Sequence, residues 1–219
     1  VAVEHALRQV ILPALGAAET GLAGVCLGMA GVDRPEDASA VRTMLVHLAQ
    51  TSAVLVVHDA LIALEAGIGT APGIVVVAGT GSIAYGRDER GRAARAGGWG
   101  YVLGDEGSGY WLGRQALQAV VRAADRRGPA TSLTSRILTH FGLTRAPDLV
   151  QEVYFRMSQP AAIAALSGLV HAAVAEGDVV ATQILDGAAE ELASAALAVA
   201  GRLGLDACPV LLSGGVFLA

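Results

Sequence analysis

Residues able to do chemistry stand directly after apolar runs, where strands of a parallel sheet would end and ligands would bind. Asp59 follows the run "AVLVV" at 53–57 and precedes a helical pattern. A carboxylate there can cap the helix, or it can stay ionised beside the helix dipole and accept a proton from a substrate hydroxyl. The residue types leave both interpretations open. His58, with no partner pattern around it, is interpreted as structural.

A glycine turn follows the next apolar run, in "VVVAGTGSIAYG". This pattern predicts a strand–turn–strand, with the turn at Gly79, Thr80, Gly81 and Ser82. Successive backbone N–H groups in such a turn can hold an anion, and glycine lets a phosphate approach without a side-chain clash. A plain hairpin turn is the alternative. The GxxxxGK[ST] motif of Walker loops does not occur in the chain.

The third place is "LLSGGVF", where Gly214 and Gly215 follow a strand pattern. Flat glycine backbone at this position can form a platform for a nucleotide base or ribose. A turn that leads into a helix is the simpler interpretation of these two residues.

The segment "GGWGYVLGDEGSGYW" at 97–111 combines glycines, both tryptophans and the adjacent carboxylates Asp105 and Glu106. Carboxylates accept hydrogen bonds from hydroxyl groups and indole faces pack on sugar C–H surface, so the segment suits a polyhydroxylated ligand. Alternatively, the tryptophans are core anchors and Glu106 is a solvated charge; for Trp111 the core position is favoured. Ser108 is placed to cap the helix that follows.

The candidate residues are positioned by helices and strands that follow in a predictable order along the chain. Helical and strand patterns alternate over residues 1–66, which predicts a parallel α/β sheet. "GIGTAPG" at 67–73 breaks this rhythm and predicts a domain boundary, with domains at 1–71 and 72–219. Antiparallel hairpins follow. From Ser108 to about Leu205 the pattern is helical, with stops at glycines and at Pro160, and a strand returns within 208–217.

Composition excludes several classes of protein. The chain has 219 residues, 16% of them charged, and a net charge of −5, so a nucleic-acid partner is not expected. Mean hydropathy is +0.54, yet no apolar run approaches the roughly 20 residues of a membrane span. Cys26 and Cys208 belong to no metal or redox motif and are expected to be buried in strands. A start without methionine or a signal peptide suggests a chain that begins inside a larger, cytoplasmic protein.

Taken in order, "GIVVVAGTGSIAYG", "GRAARAGGWGYVLGDEGSGYWLGRQAL" and "LSGGVF" resemble the N-acetylglucosamine kinase and BadF/BadG/BcrA/BcrD ATPase family. The resemblance covers nearly the whole chain and is most specific at GGWGxxxGDEGSGYW. It places the chain in the sugar kinase, Hsp70 and actin superfamily. The implied α/β fold has two ribonuclease-H-like domains, with ATP and sugar meeting in the cleft between them.

The resemblance also implies residue roles. Asp59 matches the catalytic base, which takes the proton of the sugar hydroxyl that attacks the ATP γ-phosphate across the cleft. The other matched positions are the phosphate loop (Thr80, Gly81 and Ser82), the amino-sugar site (Gly98 and Asp105, with Trp99 shaping its wall) and the adenosine motif (Gly214 and Gly215). The implied reaction is phosphorylation of an amino sugar by ATP with Mg²⁺, most specifically N-acetylglucosamine to its 6-phosphate, in a protein that can be a homodimer.

The chain departs from the family at two places. The Asp-x-Gly-x-Thr-type first phosphate loop, whose aspartate helps to hold magnesium, is absent, so we expect an incomplete N-terminal domain and no turnover by this piece alone. Ile83 stands where eukaryotic members have a polar sugar contact, which keeps glucosamine open as substrate. Two other functions stay open: an ATPase that activates a 2-hydroxyacyl-CoA dehydratase, which needs cysteines for an iron–sulfur cluster, and a non-catalytic sensor.

Overall fold

A computed structural model describes residues 2–15, 22–29, 31–32, 35–157 and 159–218. The chain divides into two compact units, Val1–Ala66 and Gly67–Ala219. The mixed α/β class expected from the sequence is confirmed.

The first unit alternates helices and strands as the sequence predicts. Its elements are α1 (Ala2–Leu15), β1 (Val25–Gly28), α2 (Pro35–Ala49), β2 (Val54–Val57) and α3 (Asp59–Ile68). β1 and β2 pair in parallel, with Gly28 opposite Val57 at their carboxyl ends. Val41 and Leu45 on α2 are buried with Val54 of β2, which gives this unit its apolar core.

The second unit is built on a four-stranded mixed sheet of order β5-β4-β3-β6. Its strands are β3 (Gly73–Ala78), β4 (Ser82–Arg87), β5 (Ala93–Gly97) and β6 (Val210–Ser213). β3 is a continuous apolar run because it lies in the centre of the sheet. It pairs antiparallel with β4 and parallel with β6, with Val77 opposite Ser213. The carboxyl ends of β3 and β6 therefore lie side by side.

Helices fill most of the chain between β5 and β6. They are α4 (Gly109–Ala124), α5 (Leu133–His140), the 3₁₀ turn Ala146–Asp148, α6 (Leu149–Gln151), the π-helical turn Glu152–Arg156, α7 (Pro160–Ala164), α8 (Ser167–Ala175) and α9 (Val179–Leu203); a 3₁₀ turn, Gly215–Phe217, follows β6. Leu192 and Val199 of α9 are buried against Ile74 and Val76 of β3. A second core forms among α4, α5, α8 and α9, and partly buried Trp111 packs on it as favoured above.

The interruption of the helical pattern expected at Pro160 is found: the preceding helical turn ends at Arg156 and Pro160 begins α7, because proline at the first helical position needs no amide partner. Two other local expectations are wrong. Cys26 lies in β1 but is exposed, because it points away from the face that packs on α2. Cys208 is partly buried and precedes β6. In the described part of the chain, no helix is both long and apolar enough to cross a membrane.

Candidate active site

The turn between β3 and β4 presents free amide groups. Gly79 N–H donates to Gly81 O at 2.9 Å, which closes the turn on itself. Within the described residues, the amides of Thr80 and Gly81 have no acceptor. A Cβ built on Gly79 would meet no described atom within 4 Å beyond its chain neighbours. Two adjacent unpaired amides beside open space form a concavity that can hold a phosphate oxygen.

The N-terminus of α4, next to this turn, is already satisfied by the protein. Gly109 N–H donates to Gly79 O at 2.8 Å and Tyr110 N–H to Thr80 O at 3.3 Å. Trp111 N–H donates to Ser108 Oγ at 3.1 Å, so Ser108 caps the helix as predicted. An anion at this edge would therefore meet the turn amides and not those of the helix.

The end of β6 lies against the same edge. Gly214 has φ +107° and ψ 163°, a backbone conformation that only glycine adopts readily. A Cβ there would lie 2.6 Å from the carbonyl carbon of Ala78, so the residue fits flat against β3. A Cβ on Gly215 would meet nothing within 4 Å among the described atoms. The structure thus brings the predicted phosphate turn and adenosine motif together at one sheet edge.

The segment after β5 approaches this edge through glycines. Gly97 and Gly98 have φ of +74° and +69°. Gly98 N–H donates to Ser82 O at 2.9 Å, and a Cβ on Gly98 would lie 2.8 Å from Ile83 Cδ1. The positive φ angles favour glycine at both positions, and at Gly98 a side chain would also displace the end of Ile83.

Trp99 is not a core anchor, because 65% of its surface is exposed. The guanidinium of Arg95 lies 4.8 Å from the centre of the Trp99 ring, a cation–π contact that holds the indole in place. An exposed, oriented indole beside Gly98 keeps the predicted role in a sugar-binding wall.

Asp105 lies under the turn and is 8% exposed. The amides of Ser82 and Gly100 face its carboxylate, and Oδ2 would lie 2.6 Å from a Cβ on Gly81. Burial raises the pKa of Asp105, and the Glu106 carboxylate adds to the rise, while these two facing amides oppose it. A sugar hydroxyl would have to use the remaining lone pairs of this carboxylate.

Ser82 is committed to the same segment. Its hydroxyl donates to Glu106 O at 2.6 Å, its carbonyl accepts from Gly98, and its amide faces the Asp105 carboxylate. Ser82 was predicted in the phosphate loop, and its hydroxyl proton is used on the sugar side. The sequence holds no signal for this bond, because the two residues are 24 positions apart.

Asp59 belongs to the first unit, where it is the first residue of α3. Its side chain is 48% exposed, and Oδ1 lies 2.8 Å from Nδ1 of His58. The carboxylate accepts from the amide of Ala60 at 2.9 Å, one residue on, whereas a helix cap accepts from the second or third helical amide. Sequence analysis missed the contact with His58. That Asp59 faces the turn of the second unit stays a prediction.

The comparisons with known proteins agree over most of the chain. The model of the BadF/BadG/BcrA/BcrD ATPase family matches residues 1–219. An N-acetylmuramic acid/N-acetylglucosamine kinase of Clostridium acetobutylicum is 40% identical over 219 residues, which are 98% of this chain and 72% of that protein. An N-acetyl-D-glucosamine kinase of Dictyostelium discoideum is 38% identical over 203 residues, 90% of this chain and 64% of that protein.

Two solved structures are similar as well. A candidate N-acetylglucosamine kinase of Chromobacterium violaceum superposes with a TM-score of 0.68 at 32% identity, over 87% of this chain and 63% of that one. A candidate N-acetylglucosamine kinase of Porphyromonas gingivalis gives a TM-score of 0.80 at 25% identity, over 99% and 73%. The chain spans less than two thirds of the length of the Dictyostelium protein and of the Chromobacterium chain.

Proposed function

Because this chain belongs to the BadF/BadG/BcrA/BcrD ATPase family, we propose that it phosphorylates an amino sugar with ATP. N-acetylglucosamine, phosphorylated on its 6-hydroxyl, is the first candidate, since the relatives from Clostridium and Dictyostelium are named for this sugar. N-acetylmuramic acid, from the Clostridium name, and glucosamine are the others.

The observation that carries this proposal is the turn with two unpaired amides, Thr80 and Gly81, beside the open backbone of Gly215. The amides would bind the phosphates of ATP, and the Gly214–Gly215 backbone would support the adenosine. The site fits a nucleotide because it combines anion-binding N–H groups with an uncrowded surface at the carboxyl ends of two parallel strands.

On the sugar side, we assign Gly98, Trp99 and Asp105 to the amino sugar and Asp59 to the base. The sugar oxygen attacks the γ-phosphorus, the bond from that phosphorus to the β,γ-bridging oxygen breaks, ADP leaves, and the hydroxyl proton passes to Asp59. Half exposure keeps the Asp59 carboxylate accessible to a hydroxyl group. Such transfers rely on positioning and charge neutralisation, so one base and a set of amides can suffice.

Magnesium would be held mainly by the nucleotide phosphates and water, as is usual for this ion in phosphoryl transfer. Among the described residues, no group of three or more His, Cys, Asp or Glu side chains is arranged to hold a metal. A site that shares the ion with the phosphates does not need such a group. The homodimer and the cytoplasmic location stay predictions.

The test is ATP consumption by the gene product that carries this chain, measured with a panel of N-acetylglucosamine, N-acetylmuramic acid and glucosamine. Asp59→Asn should lower kcat about 10²–10⁴-fold, the range typical of a general base, while sugar affinity stays the same. Asp37→Asn is the matched control, because Asp37 is also an exposed carboxylate in the first turn of a helix of the same unit. Full turnover by Asp59→Asn would refute the assignment, and no sugar-dependent ATP consumption would refute the proposed function.

A further inference from the structure

We propose that Ser82 and Asp105 act as positioning residues that couple the sugar-side segment 98–106 to the phosphate turn, so that sugar binding sets the geometry of the ATP site. We name their contacts the Ser82–Asp105 interlock: Ser82 O–H donates to Glu106 O, Gly98 N–H donates to Ser82 O, and the Asp105 carboxylate is faced by the Ser82 amide and lies close to Gly81. The proposal rests on the proposed function, because it assigns sugar and ATP to these two segments.

The interlock joins the segments at Ser82. Ser82 directly follows the turn amides of Thr80 and Gly81, its hydroxyl and carbonyl groups bond to the segment 98–106, and its amide faces Asp105 of that segment. A shift of that segment must break these bonds or move Ser82. Because Ser82 is covalently joined to Gly81, a movement of Ser82 reorients the amides proposed to bind phosphate.

Asp105 adds a steric link to the hydrogen bonds. Its Oδ2 would lie 2.6 Å from a Cβ on Gly81, so the carboxylate supports the turn from the sugar side. Its backbone has φ +62°, which is uncommon for a residue other than glycine and persists only where the surroundings hold it. The amide of Gly100, inside the sugar-side segment, faces the same carboxylate. One side chain thus holds both segments.

Hydrogen exchange on the full chain tests the interlock without any ligand. Asp105→Asn keeps one acceptor oxygen and replaces the other with an NH₂ group that opposes an amide donor. Exchange should rise about tenfold in both segments, 80–84 and 98–106, because the carboxylate charge that faces an amide of each segment is lost. Ser82→Ala, which loses only the hydroxyl bond, should raise exchange in the same two segments by a smaller factor.

Asp178→Asn is the matched control. Asp178 accepts hydrogen bonds from two backbone amides, those of Ser132 and Ala181, but it lies at the start of α9. This variant should leave exchange in 80–84 and 98–106 unchanged. Faster exchange confined to one of these two segments in Asp105→Asn, or an equal rise in Asp178→Asn, would overturn the proposal.

The functional arm measures the dissociation constant of an ATP analogue with and without N-acetylglucosamine, by calorimetry on the gene product that carries this chain. Sugar should tighten nucleotide binding by at least about fivefold in the unmodified protein. The factor should fall to about one in Asp105→Asn, fall by a smaller amount in Ser82→Ala, and be kept in Asp178→Asn. If Asp105 only stabilised the fold, Asp105→Asn would weaken nucleotide binding both with and without sugar. The ratio of these two dissociation constants would then stay unchanged.

The two failures can be distinguished. If the unmodified protein phosphorylates the sugar but Asp105→Asn keeps the full coupling factor, the interlock proposal is wrong and the proposed function stands. If the unmodified protein binds neither sugar nor nucleotide, both are overturned. If Asp105 only contacts the sugar, Asp105→Asn raises KM for the sugar alone, and this outcome also overturns the coupling.

Discussion

Gly214 and Gly215 are adjacent and share one proposed role, but the first is crowded and the second is open. Alanine should therefore lower stability at Gly214 and weaken nucleotide binding at Gly215. The backbone of Gly214 has φ +107° and ψ 163°, and a Cβ there would lie 2.6 Å from the carbonyl carbon of Ala78. A Cβ on Gly215 would meet no described atom within 4 Å. Gly214→Ala therefore tests packing, and Gly215→Ala tests access of the nucleotide.

The magnitudes follow from these contacts. A non-glycine residue in the conformation of Gly214 costs about 1–3 kcal/mol, and overpacking against rigid backbone adds about 1–3 kcal/mol. We expect Gly214→Ala to lower the free energy of unfolding by about 3–5 kcal/mol. At about 2–4 °C per kcal/mol for a chain of this size, Tm should fall by about 6–20 °C.

Gly215→Ala should leave the free energy of unfolding within about 0.5 kcal/mol of the unmodified protein. Its methyl group would occupy the space proposed for the nucleotide and should weaken ATP binding by about tenfold or more. Thermal unfolding by circular dichroism and calorimetric titration with an ATP analogue measure the two effects separately. The reasoning is refuted if Gly214→Ala unfolds within 2 °C of the unmodified protein, or if Gly215→Ala binds the nucleotide normally.

Three further predictions concern the second unit. Ser108→Ala removes the cap of α4 and should lower the free energy of unfolding by about 1 kcal/mol, measured by urea titration. Burial opposes ionisation of Asp178, but hydrogen bonds from Ala181, Ser132 and Thr131 outweigh it and lower its pKa from 3.8 to about 2. Because the pKa of Asp178 is lowered in the folded state, its carboxylate should stabilise the fold by about 1–2 kcal/mol above pH 4. This stabilisation should be lost as the pH falls through 2. The free energies of unfolding of the unmodified protein and Asp178→Asn, measured against pH, should therefore converge near pH 2. Trp99→Ala should raise KM for the sugar severalfold at nearly unchanged Tm, because the indole is mostly exposed; an unchanged KM would remove Trp99 from the sugar wall.

Much of the fold could be read from local patterns. Apolar runs placed β2, β3 and β6, and helical spacing placed α1, α2 and the long helical region, because burial on one face imposes a period on the residues. The cap at Ser108 was predictable, since it depends on a hydrogen bond to Trp111 only three residues away. The family motif also identified the turn after β3 and the segment after β5, because the motif consists of glycines and carboxylates at fixed spacing in the sequence.

Side-chain exposure needed the tertiary structure. Trp99 and Cys26 are hydrophobic by type, yet both are exposed, because each lies on a face that no described core residue covers. A strand pattern cannot say which face of a two-stranded sheet is packed. The same limit applies to Gly214 and Gly215, which are identical in sequence and differ only in what β3 places beside them.

Local patterns in the chain are enough to identify the candidate reactive groups: a carboxylate after β2, a glycine turn after β3 and two glycines after β6. Which of their polar groups are free depends on the folded chain. The amides at the start of α4 donate to the carbonyls of the turn, the hydroxyl of Ser82 donates to Glu106, and the amides of Thr80 and Gly81 remain unpaired among the described residues. These bonds cannot be found from local patterns, because they join residues far apart in the chain, where strand pairing and helix packing bring donors and acceptors together.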